Sequence, residues 1–295
     1  MRADARIFCR AFTHRSRGLA KEMLAGASSI ALEFFFVAFV VLGLLIYLAL
    51  TLQIATRRRA VGPDVNVAPK KTFGLPEVFL GGAFASLVLR NIYLALTRSP
   101  VPLSSPNLAE NFLATVFIVC FIAAFLKLRG IDIDSLGGFS KTSLKRALST
   151  AVILLLAATP LILVAEAITQ NAFGGGSSRQ EIVDLFNSSQ TIEQRVMIIV
   201  LAVVVAPISE EFIFRFFIYG VARRYFGIAV GLVINALLFA AAHTHLPSVA
   251  PLFVLGSCFT LAYEWSGSIL VSMAMHSLFN SIQLILLAFP ELVQQ

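Results

Sequence analysis

The sequence predicts an all-α fold, a polytopic membrane bundle of about eight transmembrane helices. Of its 295 residues, 58% are hydrophobic and only 13% are charged, whereas soluble domains carry roughly 25% charged residues. The apolar residues also form runs of about 20 residues, the length that crosses a bilayer as a helix. Together these observations exclude an ordinary soluble domain.

The net charge of +7 does not indicate nucleic-acid binding, because the basic residues cluster beside apolar runs. The clusters cover residues 2–21, 57–71 and 127–146, and the positive-inside rule places such clusters in the cytoplasm. The loops after the first and third spans are the most basic, so we expect the odd-numbered loops to be cytoplasmic. The basic residues before Phe34 favour the opposite orientation, and a start at Met23 would largely remove this conflict.

Each predicted span is an apolar run, and most of the runs end at charged residues or Pro. Pro160 predicts a kink in the fourth span. A polar insertion over 169–195 separates the fourth and fifth spans, and its residues 179–189 predict an amphipathic interfacial helix. In chain order, the predicted spans cover residues 34–55, 75–96, 108–126, 147–168, a fifth beginning near 196, and then 228–242, 250–263 and 268–289.

Two adjacent carboxylates, Glu210 and Glu211, lie inside the fifth span. A charged side chain at membrane depth costs about 2.5–3.5 kcal/mol or more, so the pair indicates a functional site. Glu211 and Arg215 are four residues apart, which places them on one helix face where they can form an ion pair. Glu210 lies about 100° around the helix and lacks that partner. It is therefore the carboxylate left to carry chemistry.

Two further polar pairs occur in apolar surroundings. Phe239 and His243 lie in FAAAH, and His276 and Asn280 lie in HSLFN. Both pairs have the i, i+4 spacing of one helix face. An unpaired imidazole in lipid is costly. Two His residues and a carboxylate pair on three separate helices therefore predict a shared site, and polar contacts that only join helices are the alternative.

The segments EEFIFR, FAAAH and HSLFN match the motifs E-E-x-x-x-R, F-x-x-x-H and H-x-x-x-N in this order. Over about residues 209–280, the pattern resembles the CAAX-processing and bacteriocin-immunity superfamily of intramembrane proteases. That superfamily is also called the type II CAAX endopeptidase, CPBP or Abi family. The resemblance implies an integral membrane endopeptidase similar to CAAX prenyl endopeptidases.

The resemblance also implies a role for each site residue. Glu210 would activate a water molecule, and His243 would help to hold or activate it. His276 and Asn280 would stabilise the oxyanion of the scissile peptide. Peptide hydrolysis needs such a base and such donors. Structural support is implied for Glu211, Arg215 and Phe239.

No cofactor is firmly predicted. Glu210, His243 and His276 are the candidate ligands if the protein is zinc-dependent, since a carboxylate and two imidazoles can bind zinc and leave a position for water. The sequence contains no H-E-x-x-H motif, the usual signature of a zinc peptidase. Members of the superfamily that the sequence resembles are described both as metalloproteases and as glutamate-type hydrolases. We prefer the metal-free form.

The chain is expected to have three regions. Residues 1–28 form a basic N-terminal tail, residues 29–195 the N-terminal transmembrane helices and polar loop, and residues 196–290 the catalytic transmembrane core. Expected partners are membrane lipid and a peptide or membrane-protein substrate, with a lipidated C-terminus as one candidate and no nucleic acid. The expected location is the bacterial cytoplasmic (inner) membrane.

Two other function classes remain open. A non-proteolytic protein of the same fold could act as a scaffold or regulator, or could confer peptide resistance as an immunity protein. A proton-coupled transporter would also place carboxylates and His residues in the membrane. The transporter is disfavoured because no inverted repeat is apparent and because transport gives no reason for pairing His276 with Asn280.

Overall fold

The computed structural model describes residues 31–57, 72–97, 105–173, 186, 189 and 191–289. Within these ranges the chain is helical and contains no strand. The predicted basic tail over 1–28 and nearly all of the predicted amphipathic helix over 179–189 lie outside the described residues.

The described helices confirm the predicted helical bundle, and each predicted span falls on one of them. The long helix over 192–242 contains two spans, which we call α6 (192–226) and α7 (228–242). The other helices are α1 Ala31–Arg57, α2 Leu75–Thr97, α3 Ser105–Leu128, α4 Ile133–Gly137, α5 Leu144–Phe173, α8 Val249–Ser266 and α9 Ile269–Ala288.

The protein is an integral membrane protein by the length and apolarity of these helices. Six helical stretches in the described part are long and apolar enough to cross a membrane, with 192–242 counted as one. Dividing that stretch and adding α3, whose shorter apolar part is Phe112–Leu128, gives about eight crossings. Helix α6 begins at Ile192, four residues before the predicted start, because Thr191 Oγ1 accepts a hydrogen bond from Gln194 N at 3.2 Å and caps the helix.

Gly227 reverses the chain between α6 and α7. Its φ of 80° and ψ of 178° belong to a region that is open essentially to glycine alone. A Cβ built on Gly231 would lie 2.8 Å from Arg223 N, although eight residues of straight helix span about 12 Å. The two helices therefore fold back on each other, which carries His243 at the end of α7 back toward Glu210 in the middle of α6.

The described parts of the predicted odd-numbered loops lie at one end of the bundle, together with the end of α1. Polar contacts at this end join the end of α1, the α4 region, the α6–α7 turn and the end of α8. They are Arg57 Nη1 to Trp265 O at 3.0 Å, Tyr263 OH to Leu136 O at 3.0 Å, and Arg223 Nη1 to Glu264 Oε2 at 2.9 Å. Which side of the membrane this end faces stays a prediction.

The bundle has a packed centre and a lipid-facing outside. The most apolar windows of α1 and α2 are only 17% and 11% buried, whereas that of α8 is 56% buried. Apolar side chains exposed on the outer helices need a bilayer rather than water around them. Helices α7, α8 and α9 pack against the middle of α6, so Glu211 and Arg215 lie away from lipid.

The short α4 region packs against the turn between α8 and α9. Gly138 ends α4 with φ of 64°, and its N–H donates to Asp134 O at 2.8 Å. A Cβ on Gly138 would collide with the carbonyl oxygen of Gly267. This turn precedes α9, so the contact fixes the start of the helix that carries His276.

We expect Gly138→Ala to lower the thermal stability of the detergent-solubilised protein. A non-glycine residue in the left-handed region costs about 1–2 kcal/mol, and the clash with Gly267 adds to this. Gly82→Ala in α2 is the matched control, because a Cβ there meets nothing within 4 Å. Equal unfolding temperatures for the two variants would contradict the proposed packing.

Candidate active site

Glu210 lies at the end of a single α-helical turn between two π-helical segments. The turn is Ala206–Glu210, and the flanking π-helices are Leu201–Val205 and Glu211–Ile218. π-Helical turns are rare and occur frequently at functional sites. The sequence pattern did not predict them, because apolar residues occupy all faces of this helix.

Glu211 and Arg215 form the ion pair that their spacing predicted. Arg215 Nη1 lies 3.0 Å from Glu211 Oε1, and both side chains are fully buried. The same oxygen, Glu211 Oε1, also lies 3.0 Å from His276 Nδ1. One carboxylate thus joins the middle of α6 to α9. The sequence predicted structural support for Glu211, and the geometry adds a direct contact with a second candidate site residue.

Aromatic rings surround the Arg215 guanidinium. Arg215 Cζ lies 4.0 Å from the ring centroid of Phe239 and 5.2 Å from that of Phe259. Arg215 Nη2 also donates to the Gly256 carbonyl oxygen at 3.4 Å. Within the described residues, Nε and Nη1 make no aligned hydrogen bond, so the ring faces supply much of the favourable environment. A desolvated cation–π contact contributes about 2 kcal/mol.

His243 presents its Nε2 atom to Glu210. His243 Nδ1 lies 2.9 Å from the carbonyl oxygen of Phe239. A carbonyl oxygen only accepts, so Nδ1 carries the proton and donates it. In the neutral ring, Nε2 then keeps its lone pair, and it lies 3.9 Å from Glu210 Oε2. This is the tautomer that can accept a hydrogen bond from a water molecule.

His276 approaches the same oxygen from α9. Its Nδ1 donates to Glu211 Oε1, and its Nε2 lies 4.0 Å from Glu210 Oε2. The side chain of His276 is 5% exposed, whereas those of Glu210 and His243 are 26% and 22% exposed. The structure therefore brings Glu210, His243 and His276 together, and the cluster opens to the outside at Glu210 and His243.

Asn280 lies one helical turn beyond His276, and its amide faces the π-helix that precedes Glu210. Asn280 Nδ2 donates to the Ala202 carbonyl oxygen at 2.7 Å. This bond uses one of the two amide protons and leaves the second as a donor. Phe239, for which structural support was predicted, is fully buried, with its ring centroid 4.9 Å from that of His243.

Sequence reasoning did not identify Phe259 or Gly256 as part of this cluster. Phe259 is one of 26 Phe residues, and nothing in its local sequence distinguishes it. A Cβ on Gly256 would lie 3.0 Å from Phe239 Cδ1 and 3.4 Å from Arg215 Nη2. The glycine therefore lets α8 approach the guanidinium closely, a packing requirement that only the three-dimensional arrangement reveals.

Zinc is the candidate metal for this donor set. One carboxylate and two imidazoles are chemically suitable ligands, and in each ring Nδ1 donates to an oxygen, as in metal sites whose ligands are held by outer partners. In the described part of the chain, however, no group of three or more His, Cys, Asp or Glu residues is arranged to hold a metal ion.

Comparison with known proteins points to one family. Residues 192–282 match the family described as type II CAAX prenyl endopeptidase Rce1-like. The membrane-embedded CAAX protease MroQ of Staphylococcus aureus (strain USA300) is 28% identical over 88 residues. The match covers 28% of this chain and 36% of the relative, so the chain spans about a third of the relative's length. No solved structure matches significantly.

We expect Glu211→Gln to lower the stability and abundance of the protein. The change leaves a fully buried guanidinium without its anion, and breaking a buried pair costs about 3–5 kcal/mol. Glu210→Gln is the matched control, because Glu210 is partly exposed and Arg215 pairs with its neighbour. Unfolding in detergent measures the stability of both variants, and their amounts in the membrane give their abundance. Equal losses of stability and abundance in the two variants would contradict the assignment of the ion pair to Glu211.

Proposed function

We propose that the protein, whose residues 192–282 match the type II CAAX prenyl endopeptidase family, is an endopeptidase that hydrolyses a peptide bond within the membrane or at its surface. The observation that supports this most directly is the convergence of Glu210, His243 and His276. A carboxylate and two imidazole nitrogens meet at about 4 Å in an otherwise apolar bundle, an arrangement suited to activating water.

Glu210 is the proposed general base. Its Oε2 atom is buried and accepts no hydrogen bond from the described residues. The distances of 3.9 and 4.0 Å to the two Nε2 atoms are too long for direct hydrogen bonds, and they suit groups that share one bridging water. A water there can donate one proton to Glu210 and the other to His243 Nε2.

Asn280 and His276 are the proposed donors to the oxyanion. The amide proton of Asn280 that is not bound to Ala202 is available for the carbonyl oxygen of the substrate. His276 Nε2 donates only when the ring carries both protons, and the Glu211 carboxylate at Nδ1 stabilises that imidazolium. Donors of this kind act strongly in a low-dielectric site, where their charge is screened little.

The proposed reaction needs only water and the peptide. Glu210 takes one proton from water while the water oxygen bonds to the carbonyl carbon, and the tetrahedral oxygen is held by Asn280 and His276. The C–N bond then breaks, and the leaving nitrogen receives the proton from Glu210. The products are a carboxylic acid and an amine, and the carboxylate of Glu210 is restored. The proposal assigns no step to a metal, because the side chains named here and water supply each proton and each donor.

The proposed substrate is a peptide or a membrane protein that reaches the open side of the cluster at Glu210 and His243. A lipidated C-terminus is the form suggested by the family description, which names a CAAX prenyl endopeptidase. We further propose the bacterial cytoplasmic membrane as the location, in line with the bacterial relative. A scaffold or immunity protein of the same fold would need no water-activating carboxylate, so loss of Glu210 separates these functions.

We expect Glu210→Gln to abolish cleavage without lowering abundance. The test compares the N- and C-termini of membrane proteins in cells that carry wild-type protein or Glu210→Gln at equal levels. New termini that appear only with the wild type support the endopeptidase and identify its substrates. Identical termini in both strains, with the wild type fully folded, would favour a non-proteolytic role.

Asn280→Ala should retain measurable activity, because Glu210 still activates the water. Loss of one oxyanion donor costs about 10²–10³ in rate, which a purified assay on a substrate found above can measure. Ser281→Ala on the same helix is the control, since Ser281 Oγ donates to the Ser277 carbonyl within α9 at 2.7 Å. Complete loss of activity in Asn280→Ala, as severe as in Glu210→Gln, contradicts the proposed donor role.

Activity should persist after chelator treatment of the purified protein, because the proposed steps use only side chains and water. Elemental analysis should find no stoichiometric zinc in the active wild type. About one zinc per chain, lost in both His243→Ala and His276→Ala and needed to restore activity, would overturn the metal-free mechanism. The endopeptidase assignment itself would survive that result.

A further inference from the structure

We infer that Phe259 is a positioning residue of the site, which fixes the orientation of the His276 imidazole through a ring sandwich shared with Arg215. The inference concerns the geometry of His276 and stands on contacts alone. Its consequence for catalysis rests on the proposed function.

The first support is the environment of Arg215. Its side chain is fully buried, and its Nε and Nη1 atoms have no aligned hydrogen-bond partner among the described residues. The guanidinium lies instead over Phe239 at 4.0 Å and near Phe259 at 5.2 Å. A cation held against the faces of two rings restricts how those rings can turn, because the faces are their electron-rich sides.

The second support is that the same rings contact the imidazoles. The centroid of Phe259 lies 5.1 Å from that of His276, with 31° between the planes, and Phe239 meets His276 at 6.0 Å and 82°. His276 is therefore bounded by two aromatic rings, and its Nδ1 bonds to Glu211 at 3.0 Å. Rotation of the imidazole about its Cβ–Cγ bond would have to displace Phe259.

The contacts also predict that loss of the Phe259 ring affects His276 and not His243. His243 touches Phe239, at 4.9 Å between centroids, and its Nδ1 is held separately by the Phe239 carbonyl. The recorded ring contact of Phe259 with an imidazole is the one with His276. Loss of the Phe259 ring should therefore free His276 and leave His243 as it was.

The test is ¹⁵N-histidine NMR of the full-length protein in detergent micelles, at an alkaline pH at which the ¹⁵N shifts themselves show that the rings are neutral. The chain has four His residues, so single His→Gln variants assign every signal. The ¹⁵N shifts report which ring nitrogen carries the proton, and this protonation pattern depends little on the ring current of a neighbour. In the wild type, His276 should be protonated at Nδ1 only.

In Phe259→Leu, the His276 signals should move toward the average of the two tautomers, while the His243 signals stay unchanged. Phe259→Tyr keeps the ring and should keep the single tautomer. Phe217→Leu is the matched control, since Phe217 is also fully buried and its recorded ring contact is with Phe73. The inference would be overturned if His276 kept the Nδ1–H tautomer in Phe259→Leu while this variant lost as much stability as Phe217→Leu. That result would show that Phe259 has a purely structural role. If Phe259→Leu does not fold, Phe259→Met is measured in its place, and the same change in the His276 signals is expected.

The catalytic consequence is measured separately on a substrate identified in the terminus comparison. A misplacement of about 1 Å can cost about 10²-fold in rate, so Phe259→Leu should lower kcat by about that factor with little change in KM. Phe217→Leu should keep kcat. If the wild type cleaves nothing, the proposed function fails, and the NMR result still decides the role of Phe259. If the tautomer is released and kcat is unchanged, the positioning role in catalysis is contradicted.

Discussion

The arrangement depends on one oxygen atom, Oε1 of Glu211, which lies 3.0 Å from both Arg215 Nη1 and His276 Nδ1. Three ionisable groups in an apolar bundle are each unfavourable alone, because burial removes their hydration. Sharing the carboxylate balances the charge of the guanidinium and gives the imidazole a hydrogen-bond acceptor. The requirement to place these groups side by side ties α6 to α9, and the Phe239 and Phe259 rings extend the connection to α7 and α8.

Backbone features bring the helices close enough for this contact. Gly227 turns the chain so that α7 runs back along α6, and Gly256 lets α8 approach the guanidinium and the Phe239 ring. The hydrogen bond from Asn280 to Ala202 joins α9 to the π-helix before Glu210. The fold thus separates two carboxylates that are adjacent in sequence. Glu211 is fully buried and holds neighbouring side chains, while Glu210 stays partly exposed toward the outside.

Much of this could be predicted from sequence, because local signals carry it. Apolar runs bounded by charges gave the spans, and the i, i+4 spacing gave the Glu211–Arg215 pair. The π-helical segments could not be predicted, since they depend on how α6 packs rather than on its composition. Contacts such as His276 with Glu211 and Phe259 with Arg215 join residues far apart in the chain. No local pattern distinguishes Phe259 from the other 25 Phe residues.

Glu211 and Arg215 are coupled within the bundle, and a double-mutant cycle on the free energy of unfolding measures this coupling. The cycle uses Glu211→Gln, Arg215→Met and the combined variant in detergent. Replacing only one of the two side chains leaves the other one buried and unpaired, whereas replacing both leaves no unpaired charge. If the ion pair couples the two side chains, the double variant loses about 2–3 kcal/mol less than the sum of the two single losses. Losses that add within about 0.5 kcal/mol would show instead that the two side chains act independently.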